Sequence, residues 1–276
     1  MARSLFSPEE ERLVGELAHP NTTHHRRAAI GDHLDALEDP RAGVALGADG
    51  TPDITWCDIP GGSLIVDGRP CEVQPFRIAK HLVTYRQYKT FVDDPKGFRN
   101  RAIWADLVRA TEPGAQYRRL GNHPAETMSW YDAAVFCRWL SERLGIAVRV
   151  PHEDEWQQAA TGGDAGNAYP WGAEWNEGRA NSVESHLGRT TAVGMYPLGA
   201  SAHGVLDLAG TVWEWCSVGD RQQGGRRKRL KEPQVIRGGG WISASHLLRT
   251  SQRLDCHPDR RTYYSGVRVA CDAAAR

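Results

Sequence analysis

The sequence has no long hydrophobic run and no excess of charge of either sign. No stretch reaches 18 consecutive apolar residues, which argues against a membrane-spanning helix. Lys plus Arg and Asp plus Glu both number 34 in 276 residues, so no global field favours nucleic acid or a membrane surface. The N-terminus is acidic early and lacks the apolar segment of a secretory signal. These absences predict a cytoplasmic protein that binds neither nucleic acid nor a membrane.

The sequence also lacks the cysteine spacings of a zinc ribbon or a disulfide scaffold. Its six cysteines are scattered, and no two form a CxxC pair. We therefore expect mostly buried, unpaired thiols. The cysteines are Cys57, Cys71, Cys137, Cys216, Cys256 and Cys271.

The chain divides at about residue 50. Residues 1–50 predict a short helical appendage, because Ser7 and Glu10 form a capping box and a second helix follows in the segment HHRRAAIGDHLDALEDP. Residues 51–276 predict a separate α+β domain of short strands, packed helices and much irregular loop.

Two further helices carry clear start signals. Thr84 and Gln87 predict one capping box, and Ser129 and Asp132 predict another ahead of a nearly all-apolar helix that ends at Gly145. Regular patterns then become sparse after Gly162, and long irregular loops are usually functional. The basic segment RQQGGRRKRLKEP is predicted to be a solvated connection, since no aromatic residues interrupt it.

Several motifs occur together in order: IPGGSL, HPAETMSWYDAAVFCRWLSERLG, RVPHEDEWQQAATGG, YPWG, GVLDLAGTVWEWC, VIRGGGW and SGVRVA. In this set the chain resembles the formylglycine-generating enzyme, or sulfatase-modifying factor, family over about residues 54–270. The resemblance implies a loop-rich variant of the C-type lectin-like fold, with small twisted antiparallel sheets and a ligand face built from the C-terminal third. In the motif VWEWC, strand periodicity predicts that Trp213 and Trp215 share a buried face and that Glu214 points the other way.

The resemblance also shows what this chain lacks. The family's oxidases bind copper through two cysteines after the Gly-Gly-aromatic turn, and thiolates suit Cu(I). Here Ser243 stands at the first position and Leu247 or Leu248 near the second, while Cys256 is a single thiol. We therefore predict no copper oxidase chemistry.

Two other catalytic arrangements fit poorly. Related sulfoxide synthases use a His-x3-His-x-Glu iron motif, whereas His19 and His24 here are five apart with no acidic partner. Ser243, His246 and Asp255 lack the nucleophile elbow that a catalytic triad of this kind needs.

Another branch of the family consists of variable proteins of diversity-generating retroelements, which display a hypervariable surface near the C-terminus. Mutagenesis of Asn-type codons at their first two bases does not yield Lys, Gln, Glu, Met or Trp, and between Ile242 and Tyr264 only Gln252 belongs to that group. Ser, Tyr and His are also favoured in paratopes. We predict a non-catalytic protein that binds a protein or other macromolecular ligand through these residues: Ile242, Ser243, Ser245, His246, Leu247, Ser251, Asp255, Cys256, Arg260, Thr262, Tyr263 and Tyr264.

Two alternatives stay open: an enzyme relative with non-copper chemistry, and the sensor or accessory module of a signalling assembly. No cofactor is predicted. Calcium is left open, because the resemblance implies a site near Asn181 while the following loop lacks the usual acidic residues.

Overall fold

A computed structural model of the chain describes residues 6–218 and 232–273. The basic segment at 221–233 lies outside the described residues except for its last two positions. Among the helices of the described chain, none is long and apolar enough to cross a membrane.

The helices begin where the sequence places their caps. Ser7, Thr84 and Ser129 each accept a backbone hydrogen bond from the third helical residue, whose side chain bonds back to the cap, and Gly145 ends the long helix in the left-handed region. The capping predictions are confirmed. The α-helices are α1 (Pro8–Leu17), α2 (His24–Ala36), α3 (Tyr85–Asp93), α4 (Arg101–Trp104), α5 (Trp130–Leu144) and α6 (Glu153–Thr161).

Within the described residues, ten short strands form three small sheets. The strands are β1 (Trp56–Ile59), β2 (Gly62–Val66), β3 (Arg69–Val73), β4 (Phe76–Ala79), β5 (Val148–Arg149), β6 (Trp213–Cys216), β7 (Gln234–Arg237), β8 (Arg253–Cys256), β9 (Ser265–Gly266) and β10 (Ala270–Asp272). One sheet has the order β1-β4-β10-β5, another is the β2-β3 hairpin, and the third has the order β8-β7-β6-β9. The pairs formed by these ten strands are antiparallel except that of β6 with β9.

Helix α5 lies at the centre of the main core, as its nearly all-apolar sequence predicts. Phe136 and Trp139 of α5 pack against Phe91 of α3, with ring centroids 5.7 and 5.6 Å from that of Phe91. Trp213 and Trp215 are buried in the same core from the other side. This core therefore holds the third sheet, which carries the C-terminal segment, against the helices.

The N-terminal helices pack directly onto the rest of the chain. Leu13, Leu17, Ile30 and Leu34 share a buried cluster with a loop that includes Met195. The predicted division at residue 50 stays a prediction, because packing alone does not define an independently folding unit.

Alternation in β6 is as predicted, but both of its faces are buried. Trp213 and Trp215 face the main core, while Glu214 is equally inaccessible and pairs with Arg268. The two Arg268–Glu214 nitrogen–oxygen distances are both 2.9 Å. The remaining guanidinium hydrogen bonds go to the carbonyls of Ala79, Lys80 and Leu206. One buried cation therefore joins the strands of two sheets.

Regular patterns are sparse in the sequence after Gly162, yet part of the segment after the glycine turn is a regular strand. Residues 253–256 form β8, which pairs with β7 in a four-residue antiparallel register. A 3₁₀ turn also spans Ser245–Leu248. Strand β8 forms by pairing with the edge of β7. The sequence of β8 alone does not reveal this partner, so a local pattern does not predict the strand.

Candidate functional site

The C-terminal segment, residues 242–264, starts from a tight glycine turn and ends at a close backbone contact. Gly238 and Gly239 have φ angles of +89° and +74°, a region that favours glycine. At the other end, a Cβ on Gly266 would lie 2.5 Å from the carbonyl oxygen of Ala125. Both ends of the segment are therefore fixed at positions where a residue other than glycine would be strained or would clash.

Ser243 and Leu248, one of the two leucines near the second copper-binding position, are both buried. Ser243 is only 4% exposed, and its hydroxyl accepts hydrogen bonds from Trp213 Nε1 at 3.2 Å and from the Gly240 amide at 3.1 Å. Leu248 is fully buried in a separate hydrophobic cluster. Ser243 is therefore part of the structural frame, and we leave it out of the proposed contact surface.

Replacing Ser243 with alanine should destabilise the fold, because two buried donors would lose their acceptor. We expect a loss of about 1 to 3 kcal/mol in the free energy of unfolding, measured by urea denaturation. Ser251→Ala, at an exposed position, is the matched control and should stay within about 0.5 kcal/mol of the unchanged protein. Equal stability of the two variants would contradict this assignment of Ser243 to the frame.

An aromatic cluster stands at the surface beside the glycine turn. Tyr263 is 46% exposed, and its ring lies 5.9 Å from Trp241, 5.2 Å from Tyr264 and 5.9 Å from Tyr117 between centroids. Tyr117 is 70% exposed. These four side chains, the aromatic cluster, present a large amphipathic area of the kind that recognition surfaces use.

Apolar and acidic residues extend the surface beyond this cluster. Ile242 is exposed next to Trp241, and the Val183 amide donates to the Ser243 carbonyl, which places another exposed apolar residue beside it. Glu184 accepts from the Ser245 amide at 2.8 Å.

Two neighbours in the 3₁₀ turn differ in exposure. His246 is exposed, whereas Leu247 is half-buried and packs against the main core. The proposed contact surface near this turn is thus built from residues 241–247, apart from Ser243, together with Val183 and Glu184.

The remaining predicted site residues lie along the edge strand β8 and the turn after it. Ser251, Asp255 and Arg260 are exposed. Cys256 is buried in the main core, and burial raises the pKa of its thiol. Asp255 pairs with Arg253, which also pairs with Asp67 of the β2-β3 turn. The structure therefore places Asp255 in a charged region at the sheet edge, while Cys256 faces the interior.

An ion pair anchors the last part of the segment to α5. Arg261 binds Asp132 through two bonds of 2.7 Å, and Asp132 also accepts from the Ser129 amide and hydroxyl. Thr262, half-buried, donates its hydroxyl to Ser265. Tyr263 follows directly, so its position depends on this anchor.

Tyr117, which the sequence analysis missed, is held in place by a buried carboxylate. Glu126 is 1% exposed, accepts from the Arg118 amide at 2.7 Å and also bonds the Tyr117 amide. Gln116 donates to the Glu126 carbonyl and accepts from its amide. Burial raises the pKa of Glu126 to about 7. No local signal in the sequence marks this loop, because its partners are 8 to 10 residues away.

Glu126→Gln should change how stability depends on pH. The pKa of Glu126 is raised from 4.5 to about 7, so its stabilising contribution is complete below pH 4.5 and is lost as the pH rises through 7. We expect the glutamine variant to lack this decline and to be about 1 to 3 kcal/mol more stable at pH 8, in melting curves from pH 4 to 8. Parallel pH curves for the two proteins would contradict the assignment.

The potential metal ligands of the described residues are not clustered. Within residues 6–218 and 232–273, no group of three or more His, Cys, Asp or Glu side chains is positioned to hold a metal ion. Asn181, near which the resemblance implies calcium, donates to the Arg189 carbonyl and accepts from the Ser185 hydroxyl. Both ends of its amide thus have protein partners.

Comparison with known proteins identifies the fold and the family. The architecture is the C-type lectin-like fold of the formylglycine-generating-enzyme type, as predicted. It is shared with Treponema denticola variable protein 1, at a TM-score of 0.59 and 19% identity over 80% of this chain and 95% of that one. Residues 57–273 match the sulfatase-modifying factor enzyme 1-like domain, and the chain belongs to that family.

Curated relatives carry different functional names. The chain is 30% identical to hercynine oxygenase of Mycolicibacterium thermoresistibile over 73% of its own length and 52% of that protein. It is 33% identical to inactive C-alpha-formylglycine-generating enzyme 2 of Mus musculus over 80% of its length and 87% of that protein. The chain thus spans about half the length of the hercynine oxygenases it matches.

Proposed function

We propose that this protein is a non-catalytic binding protein whose ligand surface is the exposed part of residues 242–264 together with Tyr117. The observation that carries the proposal is a contrast in burial between residues of the same segment. Ser243, where the resemblance places the first copper-binding cysteine, and Leu248, one of the two leucines near the second, are buried and packed, whereas Tyr263 and Tyr117 are exposed. A relative named as inactive supports the absence of oxidase activity.

Its ligand is proposed to be a protein or another macromolecule. The aromatic cluster has rigid side chains with little conformational entropy to lose, and Ser245, Ser251 and His246 add adaptable polar contacts around it. The likeness to a protein named variable protein 1, together with the depletion of Lys, Gln, Glu, Met and Trp between Ile242 and Tyr264, supports diversification of this surface by a retroelement.

Two randomised libraries, one of exposed and one of buried positions, test whether this surface tolerates varied binding residues. One library randomises the exposed positions Ile242, His246, Ser251 and Tyr263, and a matched library randomises the buried positions Ser243, Leu248 and Cys256. We expect most members of the first to remain protease-resistant and to yield binders to unrelated target proteins. Equal loss of folding in both libraries, or no binders to several targets, would overturn the proposal.

Genomic sequence tests the diversification itself. We expect a near-copy of the 3′ end of the gene, with adenines at the mismatched positions, next to a reverse transcriptase gene. A neighbourhood that has neither element would refute retroelement diversification, while the library result would still decide the binding surface.

A second candidate function is oxidation of a small substrate, which the likeness to hercynine oxygenases favours. The two candidates differ in metal content. Under the binding proposal, the purified protein contains no stoichiometric copper or iron by mass spectrometry and consumes no oxygen with cysteine peptides or thiols. Stoichiometric metal with oxygen consumption would establish the enzyme instead.

A further inference from the structure

A groove runs between helix α3 and the loop at residues 113–119. Its volume is 270 Å³, near the lower limit of small-molecule pockets, which begin at roughly 300 Å³. The side chains that form its walls and mouth come from α3 and from the loop. They are Tyr85, Tyr88, Val92, Pro113, Ala115 and Arg119.

Tyr88, one of the residues that line this groove, has a buried hydroxyl without a partner. Tyr88 is 1% exposed, and its Oη has no hydrogen-bond partner among the described residues. The charges nearest to it, Asp132 and Arg261, are already bonded to each other, and Arg261 also donates to the Glu112 carbonyl. Buried polar groups are nearly always paired, so the Tyr88 hydroxyl is a place where a ligand atom would be favoured.

The loop that closes the groove is held rigidly. Gln116 and Glu126 exchange two hydrogen bonds, and a Cβ on Gly114 would lie 1.8 Å from the Thr127 carbonyl oxygen. This wall of the groove is therefore fixed before any ligand arrives, which lowers the entropic cost of binding.

The mouth of the groove carries an excess of positive charge. Lys89 is paired with Asp93 one turn further along α3. Arg119 is exposed and has no ion-pair partner within residues 6–218 and 232–273. The side chains of Val92, Pro113 and Ala115 also line the groove and provide apolar surface. The arrangement suits a ligand with a polar atom at one end, an apolar middle and an anion at the other end.

We infer that this groove binds a small organic acid about the size of one substituted ring. Its hydroxyl or carbonyl oxygen bonds Tyr88 Oη, and its carboxylate bonds Arg119. None of the residues that line this groove belongs to the proposed ligand surface, so failure of this inference would leave that proposal untouched.

Three matched probes test the inference on the full chain by titration calorimetry and ligand-observed NMR. They are 4-hydroxybenzoate, benzoate, which lacks the distal hydroxyl, and 4-hydroxybenzamide, which lacks the charge. We expect saturable binding of 4-hydroxybenzoate, with each of the other two weaker by about five- to tenfold, the value of one hydrogen bond or one charge contact.

Substitutions assign each preference to one side chain. Tyr88→Phe should abolish the preference for 4-hydroxybenzoate over benzoate, Arg119→Gln should abolish the preference over the amide, and Val92→Trp should block all binding. Because Arg119 is exposed, Arg119→Gln should not disturb folding. It therefore decides the test even if Tyr88→Phe or Val92→Trp fails to fold. No saturable binding of any probe, or probe preferences that Arg119→Gln leaves unchanged, would overturn the inference.

Discussion

Arg268→Met is expected to lower the free energy of unfolding by about 3 to 5 kcal/mol, because it leaves Glu214 charged and unpaired in the interior. Both side chains are fully buried. The substitution also removes the donors that bind the carbonyls of Ala79, Lys80 and Leu206. Whole domains are stable by only about 5 to 15 kcal/mol, so equilibrium urea denaturation should show a large shift of the midpoint.

The second half of this prediction separates charge from packing. In the double variant Arg268→Met, Glu214→Leu no charge is left unpaired, and we expect recovery of at least half of the lost stability. Arg143→Met is the control, because Arg143 pairs with Asp94 while 42% exposed, and its loss should cost less than about 1 kcal/mol. A double variant no more stable than Arg268→Met would show that the lost contacts to the three carbonyls, and not the unpaired Glu214, account for the cost.

Short-range chemistry explains which elements the sequence could predict. The helix starts at Ser7, Thr84 and Ser129 depend on residues three positions apart, so a local pattern contains the whole interaction. The alternation of Trp213 and Trp215 is equally local, and their shared buried face is confirmed. These signals place the elements before any tertiary contact is known.

Long-range pairing explains what the sequence could not predict. Glu214 follows the alternation but is buried through Arg268, 54 residues away. Strand β8 has no strand pattern of its own, and it forms because β7 offers an edge. Buried charges and edge strands are properties of the folded arrangement, which a window along the chain does not contain.

The sequence predicted where the candidate site begins and ends, but not which of its residues are exposed. The fixed ends at Gly238 and Gly266 are visible as glycines, and the structure gives both a steric reason. Within the segment, exposure divides the residues: Tyr263 is displayed, while Ser243 is bonded inside. Tyr117 joins the surface from a different loop, more than 100 residues earlier in the sequence.

The anchor between the C-terminal segment and α5 leads to a second large effect. Asp132→Ala is expected to cost about 3 to 5 kcal/mol, because it leaves the half-buried Arg261 without its carboxylate and removes the reciprocal cap at Ser129. The matched control is Asp106→Ala, since Asp106 pairs with Arg138 of the same helix at a partly exposed position and should cost about 1 kcal/mol or less. Urea denaturation measures both.

The same substitution should also disturb the proposed ligand surface, since Tyr263 stands two residues after Arg261. We expect proteolytic cleavage near residues 257–264 to become faster in Asp132→Ala than in Asp106→Ala under conditions where both are folded, because the segment has lost its connection to α5. A library-selected ligand should bind the first variant more weakly than the second. If cleavage and binding are the same in both variants, the position of Tyr263 is set by its ring contacts with Trp241 and Tyr117 rather than by the ion pair.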